Sequence, residues 1–149
     1  MVEAKLGTGE RLLSLNEVLI GHRSHQSARY RITVGNSSEE QSSSGLIIAS
    51  GTGVTGWARS IMLATGQDIA LSPAERAIGY FVREPFPSVA TGTSLRAGKL
   101  TNKPLMVTSL MNDGGVIFAD GIEQDFLPFG WGGTVTLSVA DHTLALVTG

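Results

Sequence analysis

The sequence predicts an all-β fold, mainly an antiparallel β-sandwich carrying one or two short helices. Three observations lead there. Nineteen glycines in 149 residues are nearly twice the usual share of about 7%, and they fall mostly between short apolar runs, as tight turns do in all-β domains. Tyr30, Ile32 and Val34 alternate with Arg29, Arg31 and Thr33, and Val135, Leu137 and Val139 alternate with Thr134, Thr136 and Ser138. A period of two is that of a strand with one buried face. Helical spacing, finally, is confined to residues 57–79. The length suits one domain, residues 1–149, able to bury a core of its own.

Taken in order, Leu15 to His22 reads as the first strand and Arg29 to Val34 as the next. Asn36 to Ser44 is rich in Ser and Glu and reads as an exposed, mobile loop. Leu46 to Ser50 is an unbroken apolar run fed by Ser43-Ser44-Gly45, the pattern of a strand buried on both faces. Ser50-Gly51-Thr52-Gly53-Val54-Thr55-Gly56 then makes a loop that opens into a helix, with Trp57, Ile61 and Leu63-Ala64 along one side. Ser72-Pro73-Ala74-Glu75 predicts a second helix, with an N-cap serine, a proline at the first helical position and an acid at the third. Tyr80 to Arg83 returns to strand before Pro85 and Pro87 break regular structure. Pro104 to Met111 and Val116 to Ala119 flank Asn112-Asp113-Gly114-Gly115, a hairpin turn signal. Asp120-Gly121 marks the next turn, and Asp141-His142 turns the chain toward Leu144 and Leu146.

Composition excludes several function classes. Thirteen acids against eleven bases give a net charge of −2. The bases are scattered, densest at Arg23, Arg29 and Arg31, and form no stripe of the kind that grips nucleic acid. Cysteine is absent, which removes disulfides and thiolate metal sites. No apolar run approaches the roughly 18 residues of a membrane span, and no basic segment leads into an apolar core near Met1. We therefore expect a soluble, cytoplasmic chain with no nucleic-acid or membrane partner. His22, His25 and His142 have no ligand spacing and are expected to be exposed or capping, so no metal site is expected. Asp113, Asp120 and Asp141 fall in turn signals, where their role is structural.

The chemistry concentrates in the glycine-rich loop. Glycines let backbone N–H groups approach a ligand, and a helix start offers further unpaired donors. Thr52 and Thr55 add hydroxyls, and Trp57 adds a flat face able to stack on a base. This is the outline of a nucleotide site. Ser50-Gly51-Thr52-Gly53-Val54-Thr55-Gly56-Trp57 resembles the signature of the NAD kinase family, Thr-Pro-Thr-Gly-Ser-Thr-Ala-Tyr in its usual form. Leu15-Asn16-Glu17-Val18 resembles the same family's Asn-Glu motif. Ser43-Ser44-Gly45, where other members have Asp-Gly, and Trp57, where they have Tyr, are closer to the mitochondrial-type branch. Arg83-Glu84-Pro85, Asp113-Gly114-Gly115 and Asp120-Gly121 follow in that branch's order, so the resemblance runs from about Leu15 to about Val147.

The resemblance implies the C-terminal domain of a two-domain NAD kinase-like fold. Such enzymes move the γ-phosphoryl of ATP, with magnesium, to the 2′-hydroxyl of the adenosine ribose of NAD. Their catalytic Gly-Gly-Asp-Gly segment lies in a domain that precedes the Asn-Glu motif, and this chain lacks it; Asp113-Gly114-Gly115 has the wrong order. The chain is thus expected to hold NAD, to carry no catalytic residue, to bind no cofactor by itself, to be inactive alone, and to form a homodimer or higher homo-oligomer. Asn16 and Glu17 would line the NAD pocket, Glu17 accepting hydrogen bonds from ribose hydroxyls. Thr52, Gly53, Thr55, Gly56 and Trp57 match the adenosine-binding loop, Ser60 matches a serine near the nicotinamide end, and Ser44-Gly45 stands at the Asp-Gly pair. Ser44 removes an ionised acceptor there, and Phe86 replaces the histidine of the usual Pro-His-Ser segment. The residues alone also allow Glu17 as a surface acid, Trp57 as a core aromatic and Ser60 as a helix-surface serine. Two rival functions are a non-catalytic dimerisation or scaffolding sandwich and a lipid or sphingoid-base kinase-like domain, although the latter would want a more apolar entrance than Thr52 and Thr55 give.

Overall fold

A computed structural model describes residues 1–24, 26–145 and 147. Two six-stranded sheets, antiparallel at every pairing, face each other across one core. The first has the order β2 (Arg11–Ser14), β1 (Val2–Leu6), β12 (Thr134–Val139), β9 (Leu105–Ser109), β4 (Ala28–Val34), β5 (Ser37–Ser43). The second runs β11 (Leu127–Pro128), β10 (Gly115–Ala119), β3 (Glu17–His22), β6 (Gly45–Ser50), β7 (Ile78–Arg83), β8 (Ala97–Leu100). The alternation of β4 and β12 turns Tyr30, Ile32, Val135 and Leu137 inward against Ile20, Ile48, Tyr80 and Ile117 of the facing sheet. Among the described residues no helix is long and apolar enough to cross a membrane.

The strand β6 is buried along its whole length. Leu46 and Ile48 enter the core between the sheets. Ala49 on the opposite face lies under α1 (Trp57–Thr65), in a second cluster with Val54, Ala58 and Phe81. This explains why β6 is continuously apolar while β4 alternates. Gly66, at φ 70°, stops α1 in the left-handed conformation and donates its N–H to the Met62 carbonyl, a termination that glycine allows without side-chain strain. The helix covers mainly the β6–β7 half of its sheet's outer face, with Ile61 reaching the cluster of Leu19, Ile47, Val116 and Phe118.

Four expectations need correction. Residues 37–43 form strand β5, in register with β4 from Ala28↔Ser43 to Val34↔Ser37. Here the inward positions are polar but satisfied: the Tyr30 hydroxyl donates to Gln41 Oε1 at 3.0 Å and lies 2.8 Å from Ser43 Oγ, and Gln41 Nε2 donates to the Leu95 carbonyl at 2.8 Å. Secondly, Ser72 starts a single turn and no helix, so α1 stands alone. Its capping contacts form, with Ser72 N donating to Glu75 Oε2 at 3.2 Å and Glu75 N to the Ser72 carbonyl at 3.0 Å. The chain then enters β7 at Ile78, and Glu75 is drawn sideways into an ion pair with Lys99.

Thirdly, β9 and β10 do not form a hairpin. Asn112 to Gly114 carries the chain from one sheet to the other, where β10 pairs with β3. Finally, residues 141–145 form no strand; His25 and Leu146 lie outside the described residues. Strands β1, β2, β8 and β11 were not foreseen.

The Tyr30 network makes a stability test. Tyr30→Phe leaves Gln41 and Ser43 short of a buried partner, which costs about 1–2 kcal/mol and lowers Tm by about 3–8 °C. The exposed Arg31–Glu40 pair at 2.6 Å gives the contrast, because Arg31→Gln is worth about 1 kcal/mol or less. Thermal melts of the two variants beside the parent check both.

Candidate functional site

The site is built around the carboxylate of Asp120, which follows β10 at φ 52°, a left-handed conformation that Asp tolerates better than most residues. Its Oδ1 accepts the backbone N–H of Asn16 at 2.7 Å, the hydroxyl of Ser14 at 2.8 Å and the N–H of Glu17 at 3.3 Å, while Oδ2 accepts that of Leu15 at 3.0 Å. In return the Asp120 N–H donates to the Glu17 carbonyl at 2.9 Å. The turn from β2 into β3 is thereby clamped to the end of β10. Burial would raise the pKa of Asp120, but the donors from Asn16, Ser14, Leu15 and Glu17 together outweigh it and hold the group below the usual carboxylate range. Glu17 goes the other way, raised by burial first and by the Asp120 charge second.

The glycine-rich loop packs on the same turn. Ser50 donates its N–H to the Asn16 carbonyl at 2.8 Å and its hydroxyl to the Leu15 carbonyl at 2.5 Å. Gly53 donates its N–H to Ser50 Oγ at 3.2 Å, and a Cβ at Gly53 would collide with the Asn16 carbonyl. The missing side chain at Gly53 therefore answers to Asn16, whereas a Cβ on Gly56 would meet the Gly53 carbonyl at an ordinary 3.5 Å. Asn16 is thus brought against Ser50 and Gly53 of the loop, and Glu17 pairs with Ala49 just before it. Thr52, Thr55 and Ser60 are exposed, Ser60 on the surface of α1. The Thr55 hydroxyl donates to the Thr52 carbonyl at 3.1 Å.

A cavity of about 630 Å³ opens on the outer face of the second sheet, beside the start of α1. Leu19, Val116 and Phe118 are among its lining residues, and Trp57, Ser44 and Arg83 also border it. Of the residues proposed from sequence, Ser44 and Trp57 line this cavity. Thr55 borders a separate groove of about 850 Å³ between α1 and residues 66–75, and Thr52 a smaller one. Gly45, at φ 133°, sits where β6 presses on β3, and a Cβ there would lie 3.2 Å from the Ile20 carbonyl. Trp57 is 37% exposed, and the guanidinium carbon of Arg83 stands 4.6 Å from its ring centroid. Sequence reasoning used Arg83 only as part of an ordered motif and read Asp120 as a turn residue. The signals were present, since a period of two places Arg83 on the same face as Phe81, but pairing Arg83 with Trp57 requires the tertiary fold. His22 behaves as expected of a capping residue, its Nδ1 accepting the Ser24 N–H at 3.1 Å.

No protein-family profile matches the chain, and no curated protein matches it in sequence. Solved structures do. An NAD kinase from Archaeoglobus fulgidus in complex with ATP is similar with a TM-score of 0.69 and 17% identity over 95% of this chain and 51% of its own. Yeast NADH kinase complexed with NADH is similar with a TM-score of 0.70 and 18% identity over 92% of this chain and 39% of its own. The fold is therefore that of a part of these kinases, and the chain spans about half the length of the first and less of the second.

The Asp120 clamp has a pH signature. A carboxylate whose folded pKa is depressed contributes stability that is full above its unfolded pKa, about 3.9, and is lost as pH falls through the folded value. The raised Glu17 has the opposite sign, its penalty growing as pH rises through the ordinary carboxylate range. Asp120→Asn keeps the left-handed turn but removes the charge. We expect it to lose about 2 kcal/mol at pH 7 and to flatten the decline of stability below pH about 4, read as urea midpoints across pH 2.5–7.

Proposed function

We propose that this chain is the NAD-binding C-terminal domain of an NAD kinase of the mitochondrial-type branch, acting in the full-length enzyme to present the ribose 2′-hydroxyl of NAD for phosphorylation by ATP. The observation that carries the reading is the packing of the Leu15-Asn16 backbone, just before Glu17, against the loop that begins at Ser50, 34 residues from Asn16 along the chain, in a fold shared with NAD kinases. Two sequence motifs that resemble one family's NAD-contacting segments thus meet in space. In this reading Glu17 accepts from ribose hydroxyls and Asn16 pairs with a polar edge of the nucleotide. Thr52, Thr55 and the start of α1 offer donors, with Gly53 and Gly56 keeping the loop close. Trp57 stacks on a ring, Ser44 and Gly45 stand at the position of the family's Asp-Gly pair with Ser44 in the same cavity as Trp57, and Ser60 lies toward the nicotinamide end.

Among the described residues no three His, Asp or Glu converge to hold a metal ion. Magnesium-triphosphate and the base that activates the hydroxyl belong, in this reading, to the rest of the two-domain enzyme. The domain alone is inactive in this reading and binds a small-molecule nucleotide, not nucleic acid or membrane. Assembly as a homodimer or higher homo-oligomer in the cytoplasm completes the proposal.

Calorimetric titration of NAD into the 149-residue chain tests it. Saturable binding is expected, weakened about tenfold or more by Glu17→Ala, which removes hydrogen bonds to a charged acceptor. Trp57→Ala should cost about 1–3 kcal/mol of binding if the ring stacks on a base. Absence of NAD binding overturns the reading. A Trp57→Ala variant with a lower Tm but unchanged affinity would make the ring a packing element and remove it from the site.

A further inference from the structure

Arg83 stands out among the charged side chains of the second sheet. It ends β7 on the outer face and lines the cavity, and its guanidinium is laid over the Trp57 ring at 4.6 Å. Stacking holds a planar guanidinium by its face and leaves its edge of N–H donors free to point elsewhere. Among the described residues those donors have no carboxylate. The four ion pairs are made by Arg11, Arg23, Arg31 and Lys99, and the adjacent Glu84 accepts the Ser44 hydroxyl at 3.1 Å instead. Ser44 is the immediate neighbour across the strand ends, its N–H donating to the Arg83 carbonyl at 2.8 Å. Ser44 and Arg83 line the same cavity, so an acid at position 44 would add a negative charge to the wall that carries the guanidinium; serine does not. The other ionisable groups lining the cavity are His22, Arg23 and Glu123. Arg23 is mostly exposed and lies 3.7 Å from Asp113, so Arg83 is the oriented cation of this wall.

We propose that Arg83 and Ser44 form an anion subsite in this cavity. A phosphate or diphosphate group of the ligand is held by the edge of the guanidinium stacked on Trp57, and the serine at position 44 keeps that edge unpaired. The placement beside an aromatic ring and an apolar floor suits a phosphate joined to a ring-bearing group, and it rests on reading this cavity as part of the nucleotide site. Arginine recognises such oxyanions through paired N–H donors.

The test uses the 149-residue chain with Trp131→Phe, so that fluorescence reports Trp57 alone. Inorganic pyrophosphate and NAD are titrated separately into this parent and into Arg83→Gln, Ser44→Asp and Arg31→Gln. The last removes one positive charge from the other sheet. Pyrophosphate and NAD should each change the signal. Arg83→Gln and Ser44→Asp should each weaken both by about tenfold or more and flatten the dependence of log Kd on log salt, while Arg31→Gln should leave them unchanged. Should Arg83→Gln not fold, as judged by melting, Ser44→Asp decides the matter with arginine in place. NAD binding indifferent to both substitutions, with pyrophosphate silent, overturns the anion subsite and leaves the nucleotide reading standing. Pyrophosphate binding that depends on Arg83, without NAD binding, supports the subsite and overturns the NAD reading. If neither ligand binds, both fall, and pyrophosphate binding that ignores Arg83 overturns the subsite.

Discussion

Much of this molecule hangs on the backbone of one residue, Asn16, because two segments distant in sequence bond to its N–H and its carbonyl. Its N–H is given to Asp120 at the end of β10, and its carbonyl takes the Ser50 N–H at the end of β6. Gly53 packs so closely on that carbonyl that no side chain fits between them. Hydrogen bonds to an ionised acceptor contribute more than neutral ones, about 1.5–3 kcal/mol each, and the Asp120 carboxylate receives four donors from Ser14 to Glu17. The entry to β3 is thus fixed before Glu17 emerges on the outer face. The start of α1 is fixed as well, since the loop that leads into it is pinned to the same carbonyl.

From that constraint the shape of the site follows. A buried strand such as β6 needs apolar cover on both faces, and α1 supplies the outer one through Ala58 against Ala49 and Phe81. One nine-residue helix is too small to cover a six-stranded sheet. The β3–β10 half is left to Leu19, Val116 and Phe118, which cluster with Ile47 but remain open to the cavity. Trp57 stands at the boundary between the covered and open halves. Its partial exposure and its contact with Arg83 are consequences of where the helix begins. The alternatives of core aromatic and ligand platform, open in the sequence, resolve into a ring partly exposed at a cavity rim.

Most of the second sheet was legible because its central strands announce themselves. β3 and β6 are apolar runs, and the Gly/Thr loop marks where β6 gives way to α1; in the first sheet, β4 and β12 show by their alternation. β5 was hidden because Gln41, Ser42 and Ser43 are polar yet buried, and it takes the cross-strand Tyr30 hydroxyl and the Leu95 carbonyl to make Gln41 and Ser43 suitable for the interior. The turn after Ser72 shows the reverse failure. Its capping chemistry is real, but the short run before β7 and the pull of Lys99 on Glu75 leave no room for a helix. For the site, Asn16, Glu17 and the loop could be picked out by residue type and order. Asp120 and Arg83 could not, since one acts across 104 residues on the backbone of Asn16 and the other through a ring 26 positions away.

The period of two along β3 adds a last element. Glu17 and Leu19 lie on the outer face about 7 Å apart, so the carboxylate and the apolar floor of the cavity belong to one continuous surface. At one end stands an acid whose burial and acidic neighbour favour its protonated form more than usual, a group suited to hydroxyl partners. Farther along stands a guanidinium that makes no ion pair among the described residues, suited to an anion. Placing the two ends of a ligand the wrong way round would set an anion against Glu17 and leave Arg83 unpaired, and like charges in a partly dry site repel strongly. The face therefore carries an electrostatic direction as well as a shape, and that direction favours hydroxyls at the β3 entrance and phosphate beside Trp57.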